Sequence, residues 1–137
     1  MKKTTAGYRE ISHTADWALQ VWAPDLSGLL VQAARGMTAL LDLQLAEAPR
    51  LEHLLTLDAA DPESLLVSFL TEILYINEQE HLGFDAFQVS LDGLHLEARL
   101  WGAPVTTQRK EIKAVTYHQL AIQTTPHGLE TTLVFDV

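Results

Sequence analysis

The sequence contains no cysteine, and this absence excludes disulfide bonds, thiolate zinc sites and a cysteine nucleophile. A bound metal would therefore have to use oxygen and imidazole ligands. The sequence also lacks an H-E-x-x-H motif, a nucleophile elbow and a phosphate-binding loop. These absences remove most enzyme classes that can be recognised from a short motif.

Long apolar runs are also missing. Lys2 and Lys3 are not followed by the apolar segment of a signal peptide, and no stretch is long enough to cross a bilayer. We therefore expect a cytoplasmic protein with no membrane segment.

Basic residues are absent from the middle of the chain: residues 51–98 contain ten acidic side chains and no lysine or arginine. The whole chain has a formal net charge of −9. A nucleic-acid-binding protein needs a basic surface to displace counterions from phosphates, so direct nucleic-acid binding is not expected. An acidic protein that acts on a basic protein partner fits better than a nucleic-acid-binding protein, but on charge alone the favoured explanation is that the acidity only maintains solubility.

The 137 residues, 47% of them apolar, are enough for one domain with a real core, and we expect a single domain over 1–137. Two segments have helical periodicity, one after Asp25 and one after Asp61-Pro62, and both aspartates are suited to cap a helix. Asp92-Gly93 lies between alternating segments and predicts a β-hairpin, whereas Gly102-Ala103-Pro104 predicts a break. The pattern predicts an α+β fold with two helices packed on largely antiparallel sheet.

A candidate site combines residues from both ends of the sequence. His13-Thr14-Ala15-Asp16 lies at a predicted turn, and the chain keeps strand character through Asp136 and Val137. If these ends meet, the carboxylates of Asp16, Asp136 and Val137 form a cluster of hard oxygens, which a divalent cation would stabilise. The tetrapeptide alone is better explained by a local hydrogen bond in which the Asp16 carboxylate accepts from a nearby main-chain amide.

Several stretches together resemble the archease family, in the family's order and over nearly the whole chain. They are the tetrapeptide His13–Asp16, the segment Ala33–Met37, the helix pattern from Leu65 to Tyr75, the segment Ile112–His118 and the terminal Phe135-Asp136-Val137. The combination is far more specific than any one of them.

The resemblance implies a protein that activates a GTP-dependent RNA ligase of the tRNA-splicing and RNA-repair type, by promoting guanylylation of the ligase and its multiple turnover. No independent catalysis is then expected. It also implies a divalent metal bound by Asp16, Asp136 and an oxygen of Val137, with calcium expected first and magnesium or manganese as alternatives. Lys113 is expected to contact the ligase or its nucleotide, and His13 is expected to stabilise the metal ligands without binding the metal itself.

One stretch departs from the family pattern. Family members carry an acidic residue and a histidine in the loop before the lysine strand, and both are absent from Gly102–Arg109. Metal or ligase binding through this loop could therefore be weaker. Two other functions stay open: a small metal-dependent hydrolase with His13 as base, and a chaperone-like modulator of tRNA-modifying enzymes.

Overall fold

The computed structural model describes residues 5–11 and 17–137. Its elements in chain order are β1 (Gly7–Ile11), β2 (Trp17–Ala23), α1 (Leu26–Leu41), β3 (Leu43–Leu45), β4 (Leu51–Asp58), α2 (Pro62–Glu80), β5 (Leu82–Asp92), β6 (His95–Gln108), β7 (Ala114–Val115), β8 (Gln123–Thr125) and β9 (Gly128–Asp136). The α+β prediction is confirmed: two helices accompany strands whose pairings are all antiparallel. Neither described helix is apolar over a length that would cross a membrane.

The strands form two sheets. The first has the order β1-β2-β9-β7, with β8 also paired to β9. In the second, β6 is central, with β5 on one edge and both β4 and β3 on the other. Helix α1 packs against strands of both sheets, and α2 packs against α1, β4, β5 and β7. The shared core therefore lies where the two helices meet the two sheets.

Both helices begin where capping residues predict. The Asp25 carboxylate accepts a hydrogen bond from the Gly28 amide at 2.8 Å, and the Asp61 carboxylate accepts one from the Ser64 amide at 2.7 Å. Each bond satisfies an amide that has no partner within the first turn. The two aspartates therefore fix the start of each helix.

Strand β6 corrects the prediction of a break at Gly102-Ala103-Pro104, because it runs unbroken through all three residues. The Pro104 carbonyl accepts a hydrogen bond from the Ala46 amide at 2.8 Å, so the missing N–H of Pro104 faces the same edge of β6. Along β6, the pairing with β4 stops at Gly102, which faces Leu51, and the pairing with β3 starts at Val105. The proline therefore lies where the partner strand changes, and a missing donor is tolerated there.

Gly102 is required by the close approach of β5. A Cβ atom at this position would collide with the main-chain carbonyl oxygen of Gly83. Because the obstacle is backbone in a paired strand, it cannot move aside as a flexible side chain would.

We predict that Gly102→Ala destabilises the protein by about 3 kcal/mol, since overpacking against backbone forces the strands apart. Denaturant unfolding followed by circular dichroism measures the change. Gln88→Ala, at an exposed position of β5, is the matched control and should stay within about 0.5 kcal/mol of the parent protein. Equal stability of Gly102→Ala and the control would contradict this account.

A titratable pair joins the end of β4 to the start of β6. His95 Nδ1 lies 2.8 Å from Asp58 Oδ1, and this hydrogen bond is the main cause that raises the pKa of His95 above its ordinary value. Glu97, 3.8 Å from Nε2, acts in the same direction. A raised folded-state pKa means that the pair stabilises the fold at low pH and loses this contribution as the pH rises through the pKa of folded His95.

We therefore expect Asp58→Asn to lower the pKa of His95 toward its ordinary value, as measured by NMR titration of the ring protons. The Asp92→Asn protein provides the comparison, because Asp92 is the other acidic residue opposite His95 in the ladder and does not contribute to the shift of the His95 pKa. An unchanged His95 pKa in Asp58→Asn would refute the assignment.

Candidate functional site

The candidate site lies where β2 begins and β9 ends. Trp17 pairs with Phe135 across the β2–β9 ladder, and Phe135 also faces Val115 of β7. The end of β9 therefore lies between β2 and β7, and pairing with these two strands fixes its main chain.

Asp136 is the last residue of β9 and its side chain is exposed. Phe135 before it is fully buried, so the alternation of side chains along the strand turns Asp136 away from the core. The main-chain carbonyl of Asp136 accepts a hydrogen bond from the Lys113 amide at 2.8 Å, so the carboxylate oxygens are the atoms that this residue can offer to a metal ion. Val137 follows and is 36% exposed.

Lys113 precedes β7 and is exposed. Its amide bond to Asp136 brings the lysine main chain beside the end of β9, so these two predicted site residues are neighbours in the structure. Strand β7 contains only Ala114 and Val115, and Tyr117 lies beyond it, where its carbonyl accepts a hydrogen bond from the Leu120 amide.

The other two predicted site residues, His13 and Asp16, lie outside the described residues. Within 5–11 and 17–137, no three histidine, aspartate or glutamate side chains are grouped so that they could hold a metal ion. The donors that are described at the end of β9, a carboxylate and main-chain oxygen, are of the hard type that calcium, magnesium and manganese prefer. Their chemistry fits such an ion, and further ligands would have to come from elsewhere in the chain.

A contact between Lys110 and Trp17 was not predicted from the sequence. Lys110 Nζ lies 4.9 Å from the centroid of the Trp17 ring, within the range of a cation–π interaction. The Lys110 amide also donates to the carbonyl of Leu41 at the end of α1, at 3.2 Å. This segment therefore fastens the start of β2 to the end of α1.

The buried side-chain amide of Asn77 is connected by hydrogen bonds to the segment that contains Lys110. Asn77 of α2 is 9% exposed, and its Nδ2 donates to the Leu82 carbonyl and to Gln108 Oε1 at 3.2 and 3.1 Å. Gln108 Nε2 in turn donates to the carbonyl of Lys110 at 2.9 Å. The chain Asn77, Gln108, Lys110 therefore connects α2 to the residue that lies over Trp17.

The stretch Gly102–Arg109, treated above as a loop that departs from the family pattern, is mostly strand. Gly102–Gln108 forms the second half of β6, and only Arg109 lies beyond its end. A cavity of about 330 Å³ opens beside Gln108 and Arg109, toward the end of α2. The sequence signal for this strand is its apolar and β-branched content, which the Gly-Ala-Pro triplet obscures.

The chain matches proteins of one family over most of its length. The model of the archease protein family matches residues 8–137. "Protein archease" of Methanopyrus kandleri is 34% identical over 125 residues, which cover 85% of this chain and 89% of the relative. "Protein archease" of Methanothermobacter thermautotrophicus is 32% identical over 124 residues, covering 85% and 88%.

Two solved structures have a similar fold. The solution structure of a Methanobacterium thermoautotrophicum protein matches with a TM-score of 0.70 and 25% identity, over 96% of this chain and 99% of that one. A Thermotoga maritima crystal structure, described as an archease and possible chaperone, has a TM-score of 0.69 with 22% identity and covers 100% and 98%. With two curated relatives above 30% identity and a family model that spans nearly all of it, this chain belongs to the archease family.

Proposed function

We propose that this protein is a metal-binding accessory protein that activates a GTP-dependent RNA ligase of the tRNA-splicing or RNA-repair type. It would promote guanylylation of the ligase and would not join RNA itself. Membership of the archease family supports this class of function, and the paired ends of β2 and β9 are the observation that supports the site.

The argument for the metal site joins sequence order to strand pairing. Asp16 is the residue before Trp17 in the sequence, and Asp136 is the residue after Phe135, which pairs with Trp17. This relation favours a shared site for the two aspartates, with an oxygen of Val137 as a further ligand. His13 would support these ligands without binding the ion.

When bound, a divalent ion would supply a positive charge able to polarise or neutralise an anionic group of the partner. The chain's own residues have the task of presenting that charge. Asp136 is exposed at a strand end that is paired on both sides, so its carboxylate is accessible while its main chain stays fixed. Lys113, also exposed, is tied to the same residue and would contact the ligase or its nucleotide.

The charge of the rest of the molecule agrees with a protein partner. Residues 51–98, which form β4, α2, β5 and the first part of β6, contain ten acidic side chains and no basic one. Such a surface repels phosphates and attracts a basic protein surface, which increases the rate of encounter. An accessory role at a protein partner therefore fits this charge distribution better than direct RNA binding.

We expect Asp136→Asn and Asp16→Asn each to weaken the binding of calcium, magnesium or manganese by about tenfold or more, because each removes a charged ligand. Isothermal titration calorimetry measures the affinity, and the metal-induced rise in melting temperature measures it independently. Asp92→Asn, an exposed carboxylate at the hairpin of the other sheet, is the control and should bind like the parent protein. Equal affinity of all four proteins would exclude the site.

We expect the two aspartate variants to lose stimulation of ligase guanylylation, measured as transfer of labelled GMP to the cognate ligase at limiting accessory protein. Lys113→Gln should also reduce stimulation while it leaves metal affinity unchanged, because the proposed contact of Lys113 is with the partner. Lys113→Arg keeps the charge and should retain more of the effect. Full stimulation by Asp16→Asn and Asp136→Asn would argue for a chaperone-like role that needs no metal, the role suggested by the description of the Thermotoga maritima protein.

A further inference from the structure

Strand β4 is a regular and unprotected sheet edge. It pairs with β6 from Leu51 opposite Gly102 to Asp58 opposite His95 without any shift of register. Among the described residues β4 has no partner on its other side, and it contains no proline, glycine or lysine. Natural edge strands usually carry such residues or a bulge to prevent pairing with another chain. Strand β5, on the opposite side of β6, does have a bulge between Phe84 and Ala86 and packs against α1.

The outer face of β4 is apolar at its centre. Leu54 is 67% exposed, more than any other large apolar residue that the structure describes. The acidic residues on either side are already paired within their own sheet, Glu52 with Arg99 at 3.2 Å and Asp58 with His95 at 2.8 Å. The centre of the strand therefore carries little charge that would oppose a second strand.

A second copy of β4 complements this edge in one antiparallel register. With a two-fold axis through Leu54 and perpendicular to the sheet, Leu54 faces Leu54 of the second copy and Glu52 faces Thr56. The same register places Arg50, the residue before β4, opposite Asp58, so no like charges face each other in it. Arg50 reaches across β6 to bind Asp85 of β5 at 2.7 and 2.9 Å, and Asp58 is paired with His95 of β6, so both side chains are directed into their own sheet.

Neighbouring registers are worse. Moving the axis to Leu55 places Glu52 opposite Asp58, so that two carboxylates face each other, and moving it to His53 places Leu54 opposite Glu52. Shifts that pair odd with even positions would join the solvent face of one sheet to the core face of the other. The edge therefore specifies its own register.

We propose that the β4 edge binds a second copy of this chain, which extends the sheet to the order β5-β6-β4-β4-β6-β5 across the two-fold axis. The pairing supplies partners for the free amides and carbonyls of β4 and covers Leu54 on both copies. It does not depend on the proposed metal site, which lies at the end of the other sheet and stays accessible. The contact is small, so a weak and concentration-dependent dimer is expected.

The absence of cysteine makes a direct test possible, because a single introduced cysteine can form a disulfide only between copies. Directly opposed strand residues have Cβ atoms about 4.5–5.5 Å apart, close to the separation in a disulfide. Leu54→Cys should therefore form a covalent dimer under mild oxidation about tenfold faster than Thr56→Cys, since only residue 54 faces itself. A mixture of Glu52→Cys and Thr56→Cys proteins should give mainly the mixed dimer. Non-reducing gels measure all three.

Sedimentation equilibrium of the unmodified protein gives a second measurement. Association should increase with concentration, and Leu54→Lys, which should fold because the residue is exposed, should abolish it. Cross-linking of Thr56→Cys at the rate of Leu54→Cys would overturn the register. A monomer at every concentration, together with no preference for position 54, would overturn the interface itself.

Discussion

The ladder between β2 and β9 is the constraint on which the functional end of the molecule depends. It joins Trp17–Ala23 to Leu129–Phe135, residues separated by most of the chain, and it contributes Leu19, Val21, Leu133 and Phe135 to the core. Burial of these side chains stabilises the pairing, and the pairing then places Asp136, at the end of β9, in solvent. A shift of one residue would turn Phe135 outward and Asp136 inward, so the hydrophobic pattern of β9 also fixes the position of its exposed carboxylate.

The same dependence on packing explains Gly36 of α1. A Cβ atom there would lie 2.6 Å from Leu19 of β2 and 2.9 Å from the ring of Tyr8 of β1. The helix loses some intrinsic stability through this glycine, and in return the first sheet approaches the helix axis closely. Arg35, the residue before it, lies over the Tyr8 ring at 5.9 Å, so that β1 is held from the side as well. The strand that leads into His13–Asp16 is therefore anchored by α1.

The parts of the fold that were predicted from the sequence are those with local causes. The caps Asp25 and Asp61, the hairpin turn after Asp92 and the helix period give each element a signal within a few residues. Strand β3 was not predicted, because Leu43–Leu45 is only three residues long and forms through pairing with β6 far along the chain. The break predicted at Pro104 was wrong for a related reason. The strand tolerates the missing N–H of Pro104 because the pairing of β6 changes there from β4 to β3, and the sequence near the proline does not indicate where those two strands lie.

For the candidate site, residue types could be predicted and their surroundings could not. The exposure of Asp136 follows from alternation along β9, and its proximity to Lys113 was not derivable without the β7–β9 pairing. The contact of Lys110 with Trp17 depends on a buried amide, Asn77, which reads in the sequence as one polar residue on an apolar helix. In this chain a lysine held over an aromatic ring follows directly after Gly102–Arg109, the stretch that departs from the family pattern. The Lys110 cation fixed there opposes a second cation nearby and favours an anionic group, so it sets the local electrostatics at the start of β2.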